Sequence, residues 1–493
     1  MGENMRCCKV CSLILAFLLC SCAIIPMTSQ EIAVKLLSPN DFGLKEAKTG
    51  EERYWALYNT HTEAIRQGKN VSYKGVGDIS ITIPKEAKWI PLANNTDFEG
   101  ITITVENPNV DIALFSMVKR GYPIDIDQAL LDKGNFRRYD KINKGMVLLI
   151  LKDENPWVVK RKGYDYGAIR NDILLLKNGI AQNKAIMPWG DKRTTKPTCQ
   201  YIYCDECKKT VKNLTLVRTK TSTHKTMLFT IEGQNNVLIE NVTLITPEDK
   251  QKYGDSALSI VNCANVTFQN VTINGTYSQK DKYGYGISVN NDWNTTFKGL
   301  VADGKWGVFC TNNTNTVTLE GCNLNRFDIH CYGRDITMKN CYFHSLYNQF
   351  SSVYGTVRYE KCTFSDFVPF ITETSYNSYT PFTLEFKNCT LNLSPKYGMT
   401  ALCAMGADDG EQNIRPELSQ IAWPDVSIDG LKVMLPESIK EFYVFNVTGV
   451  GEKRRISHIG RVSVKNLEVS NDAQIKLSNR EIITEKKIKF TIK

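Results

Sequence analysis

A short phrase of alternating apolar and polar positions, broken at one Asn or Gly, recurs along the chain. It reads Val211-Lys212-Asn213-Leu214-Thr215-Leu216, then Leu238-Ile239-Glu240-Asn241-Val242-Thr243-Leu244 and Val266-Thr267-Phe268-Gln269-Asn270-Val271-Thr272-Ile273. It continues as Thr296-Phe297-Lys298-Gly299-Leu300, Val317-Thr318-Leu319-Glu320-Gly321-Cys322, Ile336-Thr337-Met338-Lys339-Asn340-Cys341, Val357-Arg358-Tyr359-Glu360-Lys361-Cys362 and Leu384-Glu385-Phe386-Lys387-Asn388-Cys389. The residue after the break falls at 214, 242, 271, 300, 322, 341, 362 and 389, so the spacing runs 28, 29, 29, 22, 19, 21 and 27. Weaker copies begin at Glu99, Val426 and Val462. Period-two alternation predicts short strands. One unit of this length cannot bury its apolar face alone, so the units must stack. A constant core phrase with turns of unequal length predicts an all-β parallel β-helix, whose strands keep register while the turns carry loops. The recurring Asn is expected at a bend, where its side chain bonds to nearby backbone and positive φ is tolerated.

Two segments interrupt the pattern. Residues 107–200 contain the apolar run Gly145-Met146-Val147-Leu148-Leu149-Ile150-Leu151 and the basic run Lys160-Arg161-Lys162, and read as an insertion or irregular early coils forming one wall of a cleft. Residues 400–493 return to strands and end in a Lys-rich stretch. The expected boundaries are a solenoid over 38–470 and a terminal cap or tail over 471–493.

Sixteen cysteines suggest disulfides until they are placed. Five fall before residue 23 and leave eleven, an odd number that cannot pair completely within the chain. Cys322, Cys341, Cys362 and Cys389 occupy one point of the repeated phrase, which predicts a stack of small buried thiols. Cys204-Asp205-Glu206-Cys207, with Cys199 nearby, has the spacing of a metal or redox pair without a second ligand pair, and reads more readily as a local disulfide or inert thiols. Asn213, Asn241, Asn270 and Asn388 also match the N-glycosylation pattern, against which their expected place at a bend weighs.

Arg6 and Lys9 precede the apolar run Leu13 to Leu19, which ends in Cys20-Ser21-Cys22. This resembles a bacterial lipoprotein signal over residues 1–21, with Cys22 accepting the lipid and 22–37 as a linker. The expected location is the bacterial outer membrane or cell surface through that lipid, with a periplasmic or secreted protein as the alternatives. The 61 Lys and Arg against 52 Asp and Glu give a net charge of +9, and loss of residues 1–21 leaves +8. A basic surplus on an exported chain favours an anionic partner. No nucleotide-binding loop, zincin helix or serine elbow is present, and neither a nucleic acid nor an obligate protein partner is expected.

Ser38-Pro39-Asn40-Asp41-Phe42-Gly43, the helix-like stretch Glu51 to Ile65 and then Gly68-Lys69-Asn70-Val71 resemble the N-terminal cap of pectate-lyase-like right-handed β-helix proteins. The acidic residues that usually follow the glycine-rich stretch are replaced by Thr49-Gly50-Glu51-Glu52. The resemblance implies a right-handed parallel β-helix with an N-terminal capping helix. The superfamily holds polysaccharide lyases, glycoside hydrolases, epimerases, esterases and phage tailspikes, so the site must decide function.

In that family the strand before the repeated phrase lines the functional cleft. Alternation in Arg326-Phe327-Asp328-Ile329-His330-Cys331-Tyr332 places Phe327, Ile329 and Cys331 inside and Arg326, Asp328, His330 and Tyr332 outside. Adjacent coils add Tyr347, Gln349 and Ser351, then Lys305, Trp306 and Thr311, then Glu373 and Tyr376, with Asp255, Lys282, Tyr283, Ser288, Asn290 and Asp292 further back. Such a groove suits an acidic polysaccharide. Elimination on a uronic acid needs a cation for the carboxylate, a base and an acid. Arg326 can hold the carboxylate, His330 is the candidate base with Asp328 setting its tautomer, and Tyr332 or Tyr347 can donate the proton. Hydrolysis needs two carboxylates instead, about 5 Å or roughly 6.5–9.5 Å apart; Asp328 with Glu373, Asp255 or Asp292 would supply them. A non-catalytic glycan binder would use the same groove, whereas an adhesive solenoid would need none of this clustering. Calcium, which the lyase resemblance brings in as a cofactor, would find oxygen ligands at Asp408-Asp409-Gly410-Glu411, a stretch that reads more readily as a solvated turn.

Overall fold

In the computed structural model the protein describes residues 36–106, 112–125, 137–156, 169–186, 197–219, 226–246, 257–274, 278–279, 282–283, 285–302, 309–344, 348–350, 353–365, 370–372, 382–394, 400–406, 421–422, 424–448, 456–458, 461–479 and 490–492. The expected lipid acceptor Cys22 and the Asp408–Glu411 stretch lie outside these residues.

The repeated phrase folds as stacked coils. Among the described residues one sheet gathers 29 strands, and every pairing along the phrase is parallel. One register column runs Val71, Thr96, Val211, Ile239, Phe268, Phe297, Leu319, Met338, Tyr359, Phe386, Ile428 and Val464. All of these side chains are buried. Like stacks on like along the solenoid: the rings of Phe268 and Phe297 lie 4.9 Å apart, Phe343 and Phe364 5.3 Å, and Tyr359 and Phe386 5.1 Å, each pair near parallel.

The expected bend is present at each repeat. Asn213, Asn241, Asn270, Asn340, Asn388 and Asn466 all have φ between 51° and 61°, and Gly299, Gly321 and Gly430 take the same turn in their coils. The amides form a ladder: Asn213 Nδ2 donates to Asp97 Oδ1 at 2.9 Å, Asn241 to Asn213 Oδ1 at 3.1 Å, and Asn270 to Asn241 Oδ1 at 3.1 Å. A Cβ at Gly299 would sit 3.1 Å from Asn270 Oδ1, so the ladder closes on a residue without one. Just inside the bend lies the thiol stack. Cys322, Cys341, Cys362 and Cys389 are buried and reduced; the sulfurs of Cys322, Cys362 and Cys389 donate to carbonyls of the coil before, as Cys362 Sγ does to Met338 O at 3.4 Å, and Cys341 Sγ donates to Lys339 O at 3.2 Å.

The N-terminal end is closed by a helix, α1 (Gly50–Gln67), the capping element that the resemblance implied. Thr49 and Glu52 form a reciprocal cap at its start and Gly68, with φ 64°, ends it. Tyr54, Leu57, His61 and Ala64 face the first coil. Gly50 is required by closeness: a Cβ there would fall 2.4 Å from Thr82 Oγ1. At the other end the stacking passes residue 470, where the solenoid was expected to stop. Gln474–Ser478 pairs with Glu441–Thr448, and Phe490–Ile492 pairs with Val462–Val469, both in parallel. These strands satisfy backbone groups that the edge would otherwise leave open.

Between Ile112–Val118 and Lys209–Arg218, two solenoid strands, the chain builds an antiparallel sheet of five strands: Tyr122–Pro123, Met146–Pro156, Ile169–Lys177, Ile180–Ala181 and Pro197–Cys204. In the following coil the same bend is made by Gly233 and Gln234 alone. The sheet is apolar on both faces, which explains its unbroken hydrophobic runs. One face, with Val147, Leu149, Leu151, Leu174 and Leu176, gathers its own cluster with Tyr139, Ile142 and Cys199. The other, with Leu148, Ile173, Leu175 and Ile202, packs on Ala264 and Trp293 of the solenoid. Cys199 and Cys204 thus belong to opposite faces, and Cys199, Cys204 and Cys207 are all free thiols, so the local disulfide is not formed. Lys209 anchors the root of the insertion: its buried ammonium meets Asp205 Oδ2 at 3.0 Å and Gln234 Oε1 at 2.8 Å.

Candidate functional site

The strand preceding each repeated phrase presents one row in register: Ser116, Thr230, Ser259, Ser288, Cys310, Asp328 and Gln349. Their neighbours on either side, such as Ile287 and Val289 or Phe327 and Ile329, belong to the solenoid core. Asp328 therefore alternates with core residues, as the sequence predicts. It is nevertheless not exposed. Arg326 and Asp328 both have 0% relative exposure. Arg326 Nε donates to Asp328 Oδ1 at 2.6 Å, and the Tyr285 hydroxyl donates to Oδ2 at 3.1 Å. Asn348 Oδ1 accepts from the Phe327 backbone N–H at 2.9 Å. The expected open row of charges is a covered network, because facing away from the solenoid core does not make a residue solvent-exposed. Tyr285 was not singled out, and a tyrosine so far from Asp328 in sequence gives no signal until the coils are stacked.

Beyond Ile329 the alternation fails. Thr311 pairs with Ile329 while Asn312 pairs with Cys331, so His330 is the extra residue of a bulge. The backbone of Cys331 consequently pairs in the row of Asn312, Asn290 and Val261, one residue off the simple alternation. Tyr332 is buried, with φ 61°, and takes the left-handed bend that Asn291 and Asn313 make in the preceding coils. It is not the outward groove residue the alternation predicted. Asp292 is corrected likewise. Its carboxyl is buried, accepting from the Cys263 backbone N–H at 2.9 Å and from Thr295 Oγ1 at 3.4 Å, and burial pushes its pKa well above the ordinary carboxylate value. The backbone of Gln349 pairs with Asp328. The side chains of His330 and Gln349, and all of Lys305, Trp306, Tyr347, Glu373, Tyr376 and Asp255, lie outside the described residues. Among the described residues no three His, Cys, Asp or Glu side chains gather as a metal site.

A cleft of about 870 Å³ opens where the edge of the inserted sheet meets the solenoid. Trp293, Asn315 and Arg334, three successive residues of one register column, form one side. Arg137 and the stretch Ile180–Lys184 form the other. Arg334 Nη1 donates to the carbonyls of Ala185 and Ile186 at 3.1 and 3.2 Å, and Asn315 Nδ2 to that of Lys184 at 2.6 Å. The three cations Arg137, Lys184 and Arg334 face one carboxylate, Asp335. The sequence signals for this place were the apolar runs of the insertion and a tryptophan standing among Asn and Asp at a bend; neither identified the cations that meet there.

No family model and no curated protein matches the chain. Solved structures do resemble it. The tailspike protein gp49 from Pseudomonas phage LKA1 superposes with a TM-score of 0.55 at 12% identity, covering 90% of this chain and 78% of that one. The tailspike gp61 of Pseudomonas phage phi297 gives 0.53 at 14% identity over 91% and 83% of the two chains. The Gp54 tailspike of Acinetobacter baumannii bacteriophage AP22, solved in complex with A. baumannii capsular saccharide, gives 0.52 at 11% identity over 90% and 77%. At these identities the likeness is one of fold, the right-handed parallel β-helix.

Proposed function

We propose that this right-handed parallel β-helix is an exported enzyme that cleaves an acidic polysaccharide by β-elimination. The observation that carries the reading is the Arg326–Asp328–Tyr285 network. Elsewhere the same row is served by Ser116, Thr230, Ser259 and Ser288, so stacking does not require an ion pair there. A buried ion pair brings a desolvation penalty that its own attraction barely offsets. A chain that keeps one in this row has a use for it beyond the fold. In the proposed scheme Arg326 and Tyr285 hold Asp328, Asp328 sets the orientation and basicity of His330 at the bulge, and His330 takes the proton beside the substrate carboxylate. Tyr347 returns a proton to the leaving oxygen. The burial of Arg326 moves it from a clamp on the substrate to a positioning residue. That a tailspike of similar fold was solved with a capsular saccharide supports a carbohydrate ligand for this scaffold. The lipid acceptor Cys22 would hold the enzyme at the membrane, facing polymer outside the cell.

The test is to incubate the soluble chain from about residue 30 onward with acidic polysaccharides, with and without calcium, following absorbance of the conjugated product and reducing ends. Both signals rise for a lyase. Reducing ends alone establish a hydrolase; Asp292 and Asp328 are both buried, which leaves Asp255 and Glu373 as the candidate carboxylates. Silence in both channels across the panel leaves a substrate outside the panel or a glycan binder. Unchanged turnover by a folded His330→Ala chain removes His330 from the scheme.

A further inference from the structure

We infer that the cleft between the inserted sheet and the solenoid is a second binding site, for a uronic-acid residue of an acidic saccharide. Its volume of about 870 Å³ lies within the range of small-ligand sites, which span roughly 300–1,000 Å³. Its walls are set before any ligand arrives. Asn183 is spent on the backbone, accepting from Leu175 N and donating to Ile173 O, both at 2.8 Å. Asn315 and Arg334 hold the carbonyls of Lys184, Ala185 and Ile186. A loop fixed at so many points costs little further ordering on binding.

The recognition chemistry lines the same cleft. Trp293 packs against the inserted sheet and lines the cleft, an aromatic side chain of the kind on which a sugar ring can stack. Arg137 and Lys184 are exposed at the rim, and among the described residues no carboxylate is paired with the Lys184 ammonium. Asp335 is the one acidic lining residue, and it already accepts from Thr356 N at 3.1 Å and lies 3.4 Å from Arg334 Nε. An aromatic face beside two rim cations selects a ring that carries a carboxylate over a neutral one. The choice of a uronic acid among anionic sugars rests on the polysaccharide reading above.

The test is calorimetric titration of the chain with trigalacturonate and with trimannuronate, each beside its carboxyl-reduced neutral counterpart, repeated with Lys184→Glu and Arg137→Glu together. Both positions are exposed, and an unchanged melting temperature shows that the fold survives. The expected result is binding of an acidic trimer that weakens at least about tenfold on charge reversal, and by a similar factor for the neutral sugar. Absence of binding by both acidic trimers, equal affinity for the neutral sugars, or indifference to charge reversal overturns the site. Cleavage is scored separately: polymer cleaved at the wild-type rate by a charge-reversed chain of unchanged affinity sinks the cleft and keeps the enzyme. Binding lost on charge reversal in a chain that cleaves nothing keeps the cleft and sinks the enzyme.

Discussion

Arg326 Nε stands 2.6 Å from Asp328 Oδ1 with neither side chain exposed, in a solenoid whose earlier coils put Ser and Thr at the position of Asp328 and whose adjacent coils put Cys310 and Gln349 there. Removing one partner strands the other in a low-dielectric interior. Arg326→Leu or Asp328→Leu alone is expected to lower stability by about 3–5 kcal/mol, and the pair together by clearly less than the sum. Urea denaturation of the four chains measures the difference; additive losses would mean that the two charges are not coupled. Because of this coupling, lost activity in either single variant has to be read beside its melting curve.

The same pair shows where sequence reasoning reached and where it stopped. Alternation located Asp328 between Phe327 and Ile329 correctly, since the core rows of a stacked solenoid repeat on every coil. Whether the opposite side is covered is settled by residues remote in sequence, such as Tyr285, and no local pattern reports it. The bulge at His330 is a single added residue, and one residue inverts the predicted side for all that follow. The Asn bends and the thiol stack were legible for the opposite reason: each is recorded repeatedly along the chain, so one irregular copy does not hide it. The cations of the cleft come from the insertion and from the solenoid, and neither segment alone shows that they meet.

At the bend, backbone conformation and side-chain bonding can be separated by substitution. Asn241 has φ 52°, donates to Asn213 and accepts from Asn270. Asn241→Gly keeps the left-handed conformation and loses only the exposed amide bonds, an expected cost of about 1 kcal/mol. Asn241→Ala adds the strain of a Cβ at positive φ and should cost about 1–2 kcal/mol more. Denaturant melts of the two variants decide it. Equal losses would show that the ladder of amides, and not the bend, carries the preference for Asn.

Asp292 offers a carboxyl whose ionisation opposes folding. Its folded pKa is raised by burial well above the ordinary 3.8, so the folded chain keeps a proton that the unfolded chain releases once the pH passes that value. Stability from this group is therefore full in acid and declines as pH rises. Asn at this position can still accept from Cys263 N and can donate to Thr295 Oγ1. Asp292→Asn is expected to match the parent near pH 3 and to gain on it steadily at higher pH, by about 1.4 kcal/mol per unit at most. Melting temperatures at pH 3, 5 and 7 test this, and a variant less stable at pH 7 would show that the carboxylate is needed in its charged form.

His61 makes the opposite prediction for the N-terminal cap. Its ring is buried under α1, with Nδ1 accepting from the Ala93 backbone N–H at 3.4 Å and Nε2 set 3.0 Å from the Tyr73 hydroxyl. Nδ1 is thereby the acceptor and Nε2 the donor, so the ring is held neutral. The rings of Phe98 and Phe115 lie 6.3 and 6.4 Å away, and burial in this apolar setting lowers the pKa from 6.5 to about 3. As pH falls below 6.5 the unfolded chain takes up a proton that the folded ring refuses, and the stability held above that pH is lost by about 1.4 kcal/mol per unit until the folded ring titrates near 3. His61→Gln removes this titration while keeping a group able to reach Tyr73. It should be less stable than the parent at pH 7, with a deficit that shrinks progressively toward pH 4. Two stability curves running parallel from pH 7 to pH 4 would show that the folded ring takes up its proton as readily as the unfolded one, and that burial does not hold it neutral.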